Sequence, residues 1–325
     1  MKKMFSKVSW FALFCLALGF MGGLVVGIKR GIPFVTQREQ WTIGIYRSDT
    51  PFHFNGLQGW INPLFRAEDV TDVPAKFVAD PFLVKEGDTW NLFFEVYNLD
   101  TQQGDLAVAT STNTWIWKYE RLILDEQFHL SYPYVFKADD EYYLIPESFE
   151  DNSIRLYKAD EFPTKWSFVK TLVEGRDYVD NSIVYYNGKW WLFSSVTSND
   201  KLYLHYADSL TGPWQEHPQS PIVVDDLHKS RPSGRMIIYD GRLYRFTMDV
   251  DPPAGTHQVV AYEITEITPA SYSEQPAQDA PILTASGSGW NRDAMHQLDP
   301  VQVDDNSWIA SVDGFGEYWI FGWEY

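Results

Sequence analysis

A unit of roughly 50 residues recurs five times along this chain, and each copy opens on a polar residue set in an apolar strand. Three openings are plain: VADPFLV around Asp80, LSYPYVF around Tyr132 and YVDNSIVYY around Asp180. Two are looser, SRPSGRMIIY around Arg231 and MHQLDPVQV around His296. Four openings lead through a short turn into an aromatic strand, DTWNLFFE, DEYYLIPES, GKWWLFSS and GRLYRFTMD; the fifth leads into NSWIASVDG. A fixed repeat of this size predicts small sheets arranged radially, because each sheet buries its apolar faces only against its neighbours. The fold class is therefore all-β, a five-bladed β-propeller. Its first strands converge on one axis, so polar residues far apart in sequence meet in one pocket.

Blade one is predicted over about Phe77–Asp125, blade two over His129–Glu174, blade three over Tyr178–Asp226, and blade four over Ser230–Ser286; blade five takes the remainder. Glu86-Gly87-Asp88, Asp139-Asp140, Asn187-Gly188 and Asp240-Gly241 mark hairpin turns between first and second strands. Trp41–Arg47 reads as a lone strand before the repeats. Pairing it with the terminal YWIFGWEY would close the ring without a free sheet edge.

Val8–Ile28 is uncharged and, as a helix of about 21 residues, long enough to span a bilayer core. Residues 1–30 are read as a signal-anchor, 31–40 as a linker and 41–325 as the propeller. The expectation is a single-pass membrane protein with a cytoplasmic N-terminus, the large domain outside, and the lipid bilayer as a partner. Gly19, Gly23 and Gly27 share one helix face and permit a helix-mediated homodimer; glycine is also simply common in such helices. The net charge of −18, from 44 acidic and 26 basic residues, excludes nucleic acid as a partner and disfavours polyanionic substrates. The lone Cys15 leaves the propeller without a disulfide or a Cys-based metal site.

The stretch NPLFRAEDVTDVPAKFVADPFLVKEGDTWNLFFEVYN resembles one family, as do FHLSYPYVF, YYLIPES, FPTKW and YVDNSIVYYNGKWWLF. This is the N-terminal propeller domain family of plant glucosamine inositolphosphorylceramide transferases and their bacterial stand-alone relatives. The resemblance runs from about Trp41 to the C-terminus. The family is in turn similar, at the level of fold, to the five-bladed arabinanase, invertase and levansucrase class of carbohydrate-active enzymes. The plant proteins carry a separate glycosyltransferase domain after this region, whereas this chain ends at Tyr325. The resemblance therefore implies a stand-alone propeller that acts on or binds sugar, without the transferase activity. One departure is Met248 in FTMD, where relatives tend to carry Gln.

Glycosidic cleavage uses two carboxyl groups, one as acid on the leaving oxygen and one as base or nucleophile. By resemblance to the class, Asp80 matches the first-blade base or nucleophile, and Asp180 matches the third-blade Asp that orients the sugar and tunes the acid. Either residue can instead cap a turn at its strand start. The class takes its acid from a later blade, and no equivalent Glu stands there. Glu147, at the second-strand end of blade two, is the candidate acid, and Glu95 in blade one competes with it; a salt bridge from Glu147 to Arg155 or another base is the alternative. Arg231 or Arg235 can fork onto a substrate carboxylate or phosphate, or neutralise Asp80 or Asp180. His296 can bond sugar hydroxyls or shuttle a proton, or sit satisfied in the core. His129 and Tyr132 are expected in the pocket wall.

His296, Asp299 and Asp313 lack metal-ligand spacing, so neither metal nor cofactor is expected. Trp60, Trp190, Trp191 and Trp290 are candidate stacking platforms, although most of the tryptophans suit sheet packing. The reading is a membrane-anchored, carbohydrate-active propeller, a glycoside hydrolase or transglycosidase acting on an extracytoplasmic glycan or glycoconjugate. The alternative is a non-catalytic sugar-binding module of a glycan or glycolipid assembly system; a protein-binding scaffold is a third reading.

Overall fold

The computed structural model describes residues 14–16, 19, 35–56, 62–251, 257–278 and 281–321. It divides into two compact units, Gln40–Gly316 and the pair of ends Met1–Glu39 with Glu317–Tyr325. In the second unit, Phe14–Leu16 and Gly19 are helical, and 35–39 and 317–321 are strand. Apart from those four helical positions, the expected membrane span Val8–Ile28 lies outside the described residues, as do Gly23 and Gly27 of the expected dimer face and Trp60. Among the described residues no helix is long and apolar enough to cross a membrane.

Two strands, β1 (Val35–Ser48) and β2 (Asn55–Gly56), precede the repeats. Blade one is β3 (Ala75–Glu86), β4 (Thr89–Asn98), β5 (Gln103–Ser111) and β6 (Lys118–Leu124). Blade two is β7 (Ser131–Ala138), β8 (Glu141–Glu147), β9 (Ser153–Glu161) and β10 (Lys165–Glu174). Blade three is β11 (Tyr178–Tyr186), β12 (Lys189–Val196) and β13 (Lys201–Ala207), edged by β14 (Gln215–Glu216) and β15 (Val223–Val224). In blade four the first strand is split into β16 (Arg231–Pro232) and β17 (Ile237–Tyr239), followed by β18 (Arg242–Asp249), β19 (Gln258–Ile267) and β20 (Tyr272–Pro276). Blade five is β21 (Leu298–Asp304) and β22 (Ser307–Phe321), completed by β1 and β2 in the order β2-β1-β22-β21. The ring thus closes through the N-terminal strand, as its lone position predicts. That strand begins at Val35, inside the stretch expected as linker, because it pairs with a 15-residue β22.

The turns follow their sequence. Asp139-Asp140, Asn187-Gly188 and Asp240-Gly241 all have positive φ at both positions, the backbone that a two-residue hairpin between twisted strands requires. The aromatic richness is largely used between blades. Phe93 of blade one meets Trp166 of blade two edge-on at 5.9 Å, and Phe82 of blade one meets Tyr132 of blade two edge-on at 4.9 Å. Trp191 is buried and Trp290 packs edge-on to Tyr46, so these two tryptophans serve packing rather than the pocket.

The first strands of blades one to three share one irregularity. Two residues oppose one between Ala79 and Phe82, between Ser131 and Tyr134, and between Val179 and Ser182. The first bulged residue is Asp80, Tyr132 or Asp180, with φ of 52°, 46° and 50°. Bulges of this kind commonly put glycine at that left-handed position, and a bulky Tyr there is strained by about 1–3 kcal/mol. The bulge re-aims each side chain. Tyr132 points along the axis, where its hydroxyl meets Ser182 Oγ at 2.9 Å and the Gly234 carbonyl at 3.1 Å, and accepts the Gly234 N–H at 2.5 Å. This plug joins blades two, three and four. Gly234 has φ of 116°, and a Cβ there would lie 1.7 Å from the Leu298 carbonyl oxygen. Neither clashing group is a flexible side chain, so Gly234→Ala is expected to lower unfolding free energy by about 3 kcal/mol, read as an earlier denaturant midpoint.

Candidate active site

The bulges bring the predicted acids together through backbone bonds between blades. Asp313, at the inner part of β22, accepts the Asp80 N–H at 3.0 Å, and Glu147 accepts the Asp180 N–H at 3.1 Å. Asp80 Oδ2 in turn accepts the Tyr132 N–H at 3.2 Å. A carboxylate of one blade therefore caps the strained residue of the next, and the strained Asp does not cap its own turn.

Arg231 from β16 holds one side of this floor. Its Nε is ion-paired with Asp180 Oδ2, Nη1 donates to Asn199 Oδ1 at 3.1 Å, and Nη2 lies 3.8 Å from Glu147 Oε2. Burial would lower the Arg231 pKa, but Asp180 and Glu147 outweigh it and raise it. Asp180 Oδ1 is buried without a hydrogen-bond partner. Glu147 therefore pairs with Arg231 and not with Arg155, which bonds Asp151 at 2.9 Å. Burial and the Asp180 charge push Glu147 well above the usual carboxylate range.

His296 holds the other side. It lies just before β21 rather than in it, so backbone and ring can both turn toward Asp313. Nδ1 is 2.7 Å from Asp313 Oδ1, Nε2 is 3.7 Å from Asp80 Oδ1, and the ring stacks on Trp41 at 4.0 Å. Burial alone would lower the His296 pKa, and Asp313 raises it. Asp80 itself is pushed up to about 7 by burial, against the opposing pull of His296. Asp80, His296 and Asp313 each place a ligand atom within 4.8 Å of the others, a mixed oxygen and nitrogen set of the kind that can hold a metal ion. Asp299, weighed with these residues from the sequence, belongs elsewhere: it accepts from Arg235 Nε at 2.8 Å and from the Leu83 N–H at 2.6 Å.

Above the floor opens a cavity of about 530 Å³ lined by Trp41, Ser198, Asn199, Leu227, Arg231, Met248, Val250, His257 and His296. Arg231 and His296 reach it as expected. Asp80, Glu95, Glu147 and Asp180 are not among its lining residues; Asp80, Glu147 and Asp180 sit behind it, against Arg231 and His296. Three further predicted residues lie away from it. Tyr132 is buried in the axial plug, because the bulge turns it inward. Arg235 lines the opposite end of the axis, because the split between β16 and β17 carries the chain past the plug. His129 packs against blade one instead of the cavity, accepting the Gly104 N–H on Nδ1 at 3.0 Å and placing Nε2 3.6 Å from Glu95 Oε1. Trp41, Asn199 and His257 were not anticipated. The period of the repeat points only to first strands, whereas these three come from the closing strand and from loops. Asp313 had a readable signal, since it follows the apolar run of NSWIASVDG in blade five much as Glu95 and Glu147 follow those of DTWNLFFE and DEYYLIPES.

Glu95 lies behind Asp80, fully enclosed. Burial, then the charges of Asp80 and Glu147, raise it well above its ordinary range. The unfolded chain releases this proton near the ordinary Glu value, the folded chain only at higher pH, so stability falls as pH rises between the two. Glu95→Gln removes that loss. Its stability relative to wild type is expected to rise steadily from pH 4 to pH 8 in denaturant titrations.

Residues 36–315 match the family described as glucosamine inositolphosphorylceramide transferase 1, N-terminal. The chain is 36% identical over 297 residues to a glucosamine inositolphosphorylceramide transferase 1 of Oryza sativa subsp. indica, covering 84% of this chain and 40% of that protein. It is 33% identical over 300 residues to the Arabidopsis thaliana protein of the same name, covering 84% of this chain and 39% of that one. This chain thus spans about 40% of the length of these curated relatives. Among solved structures, the catalytic domain of a Coprinopsis cinerea GH62 alpha-L-arabinofuranosidase is similar in fold, with a TM-score of 0.58 at 13% identity, over 85% of this chain and 97% of that one. The repeat, the ring and the matched residues 36–315 together make this chain a member of the glucosamine inositolphosphorylceramide transferase 1 N-terminal family.

Proposed function

We propose that the axial pocket binds a glycan or glycoconjugate and cleaves or transfers a glycosidic bond through Asp80. The observation that carries this is the state of Asp80. Asp180 and Glu147 share Arg231, and Asp313 is engaged by His296, but among the described residues Asp80 has no arginine at ion-pair distance. With a pKa pushed to about 7, its carboxylate is poised to take a proton from water or to attack an anomeric carbon near neutral pH. Glu147, kept protonated by burial, is the proton donor in this scheme, and the Arg231–Asp180 pair orients the sugar. The pocket's volume suits a mono- or disaccharide portion of a larger molecule. The relatives' name makes an inositolphosphorylceramide-type glycolipid the first substrate class to test.

The double engagement of Arg231 favours a second reading. Glu147 and Asp180 are almost wholly enclosed and already paired, as a purely sugar-binding site would leave them. Asp80→Asn separates the two. Under the catalytic reading it lowers turnover of a cognate glycan about 100-fold or more, while glycan binding by calorimetry stays within a few-fold of wild type. Unchanged turnover sinks the catalytic role.

Membrane anchoring is part of the proposal, supported by the uncharged run Val8–Ile28 and its basic flanks. It places the propeller outside the cytoplasm, near lipid-linked sugars. Alkaline carbonate washing is expected to leave the full chain in the membrane pellet; release into the supernatant would refute the anchor.

A further inference from the structure

The axis has a second mouth. Beyond the Tyr132–Ser182–Gly234 plug, the far ends of β3, β7, β17 and β21 flare into a funnel of about 490 Å³. Its wall is apolar, with Leu83, Val135, Phe136, Ile237 and Trp308 among its residues. Among the described residues, the charged ones that line it are Lys85, Lys137 and Arg235, and no carboxylate does. In a chain with 44 acidic and 26 basic residues, an apolar hollow lined by cations alone departs from the general balance.

Arg235 belongs to the base of this funnel. Its guanidinium lies over the Tyr134 ring at 5.2 Å and is fixed by Asp299, while Nη1 makes no hydrogen bond among the described residues. One edge of a rigid, preoriented fork is therefore left for a ligand. The two lysines are not spent in strong pairs. Lys85 Nζ lies 5.5 Å over Trp90, and Lys137 Nζ lies 5.2 Å from the Tyr142 ring and 3.9 Å from the fully exposed Asp140, a contact of little energetic weight. Acidic turn residues flank the strand ends outside the funnel, Glu86, Asp88, Asp139, Asp140, Asp240, Asp304 and Asp305. They oppose close approach of an extended anionic surface such as a charged bilayer, but they leave room for a single small molecule to enter.

We propose that this funnel is a second binding site, for a small amphiphilic carboxylate whose head engages Arg235 and whose apolar body lies along the strand ends. The site is separate from the pocket at Asp80, because the hydrogen-bonded plug lies between them. Lys85 and Lys137 supply long-range attraction, and the aliphatic wall supplies the area that leaves water.

The test is calorimetric titration of the full chain, in nonionic detergent, with 4-phenylbutyrate, 4-phenylbutanol and acetate. These probes share the body or the head but only the first has both. The expected result is saturable, one-to-one binding of 4-phenylbutyrate, at least tenfold tighter than either fragment. Ile238→Asp places a charge at a half-exposed wall position and should weaken that binding at least tenfold with an unchanged unfolding midpoint. Lys137→Gln should weaken it about threefold. Absence of saturable binding, equal binding of the alcohol, or wild-type affinity in both variants would overturn the proposal.

Discussion

The ring depends on a bond that joins blades rather than strands: a buried carboxylate of one blade accepting the backbone N–H of a left-handed residue in the next. Asp313 does this for Asp80, and Glu147 for Asp180. Such a hydrogen bond contributes about 0.5–1.5 kcal/mol to a neutral carboxyl and about 1.5–3 kcal/mol to a charged one, enough to fix a strained conformation that aliphatic packing alone would leave undetermined. Asp313 carries most, since it also takes the Gln297 N–H at 3.0 Å and the His296 ring. The two readings of these acids, turn cap and chemistry, are therefore not exclusive. Each acid steadies the neighbouring blade's backbone, and that same placement delivers it to the axis.

Charge balance distinguishes the two ends of the axis. At the pocket end, Asp80, Glu95, Glu147, Asp180 and Asp313 share Arg231 and His296. Desolvation then decides the outcome, and Asp80, Glu95 and Glu147 hold their protons to unusually high pH. At the other end, Arg235 and Asp299 form a one-to-one pair in contact with the Leu83 backbone. An unbalanced buried cluster is costly to keep, which is why such clusters are concentrated where protons are handled. The balanced pair reads as architecture with one donor edge to spare.

Much of this was legible in the repeat. The period gave five blades, the lone early strand gave the closure, and the position of Asp80 and Asp180 in their units gave their place among the buried acids near the axis. What failed has identifiable causes. Tyr132 occupies the same position as Asp80, but a phenol is long enough to cross the axis and bond Gly234, so equal position did not mean equal role. Arg231 and Arg235 are four residues apart, yet the break between β16 and β17 sends them to opposite mouths, where simple alternation along a strand does not apply. Trp41 had no repeat partner to point to it, although it both closes the ring and steadies His296. Of the bases open to Glu147 from the sequence, Arg155 is already held by Asp151 and Glu126, and the place is taken by Arg231, 84 residues away.

The closing strand also sets an order of events during synthesis. β1 leaves the ribosome first, but its partner β22 follows roughly 270 residues later. At about 5–20 residues per second, the edge of β1 that β22 will cover stays unpaired for something like 15–50 seconds while blades one to four are made. During that time its unpaired edge and the aromatic faces of the open ring are exposed, which makes the nascent chain a natural client of chaperones. The His296–Trp41 stack, and with it one wall of the pocket, forms only when the circle does. A chain that stalls before its last strand therefore carries Asp80, Glu95, Glu147 and Asp180 but neither Asp313 nor the closed ring that holds them together.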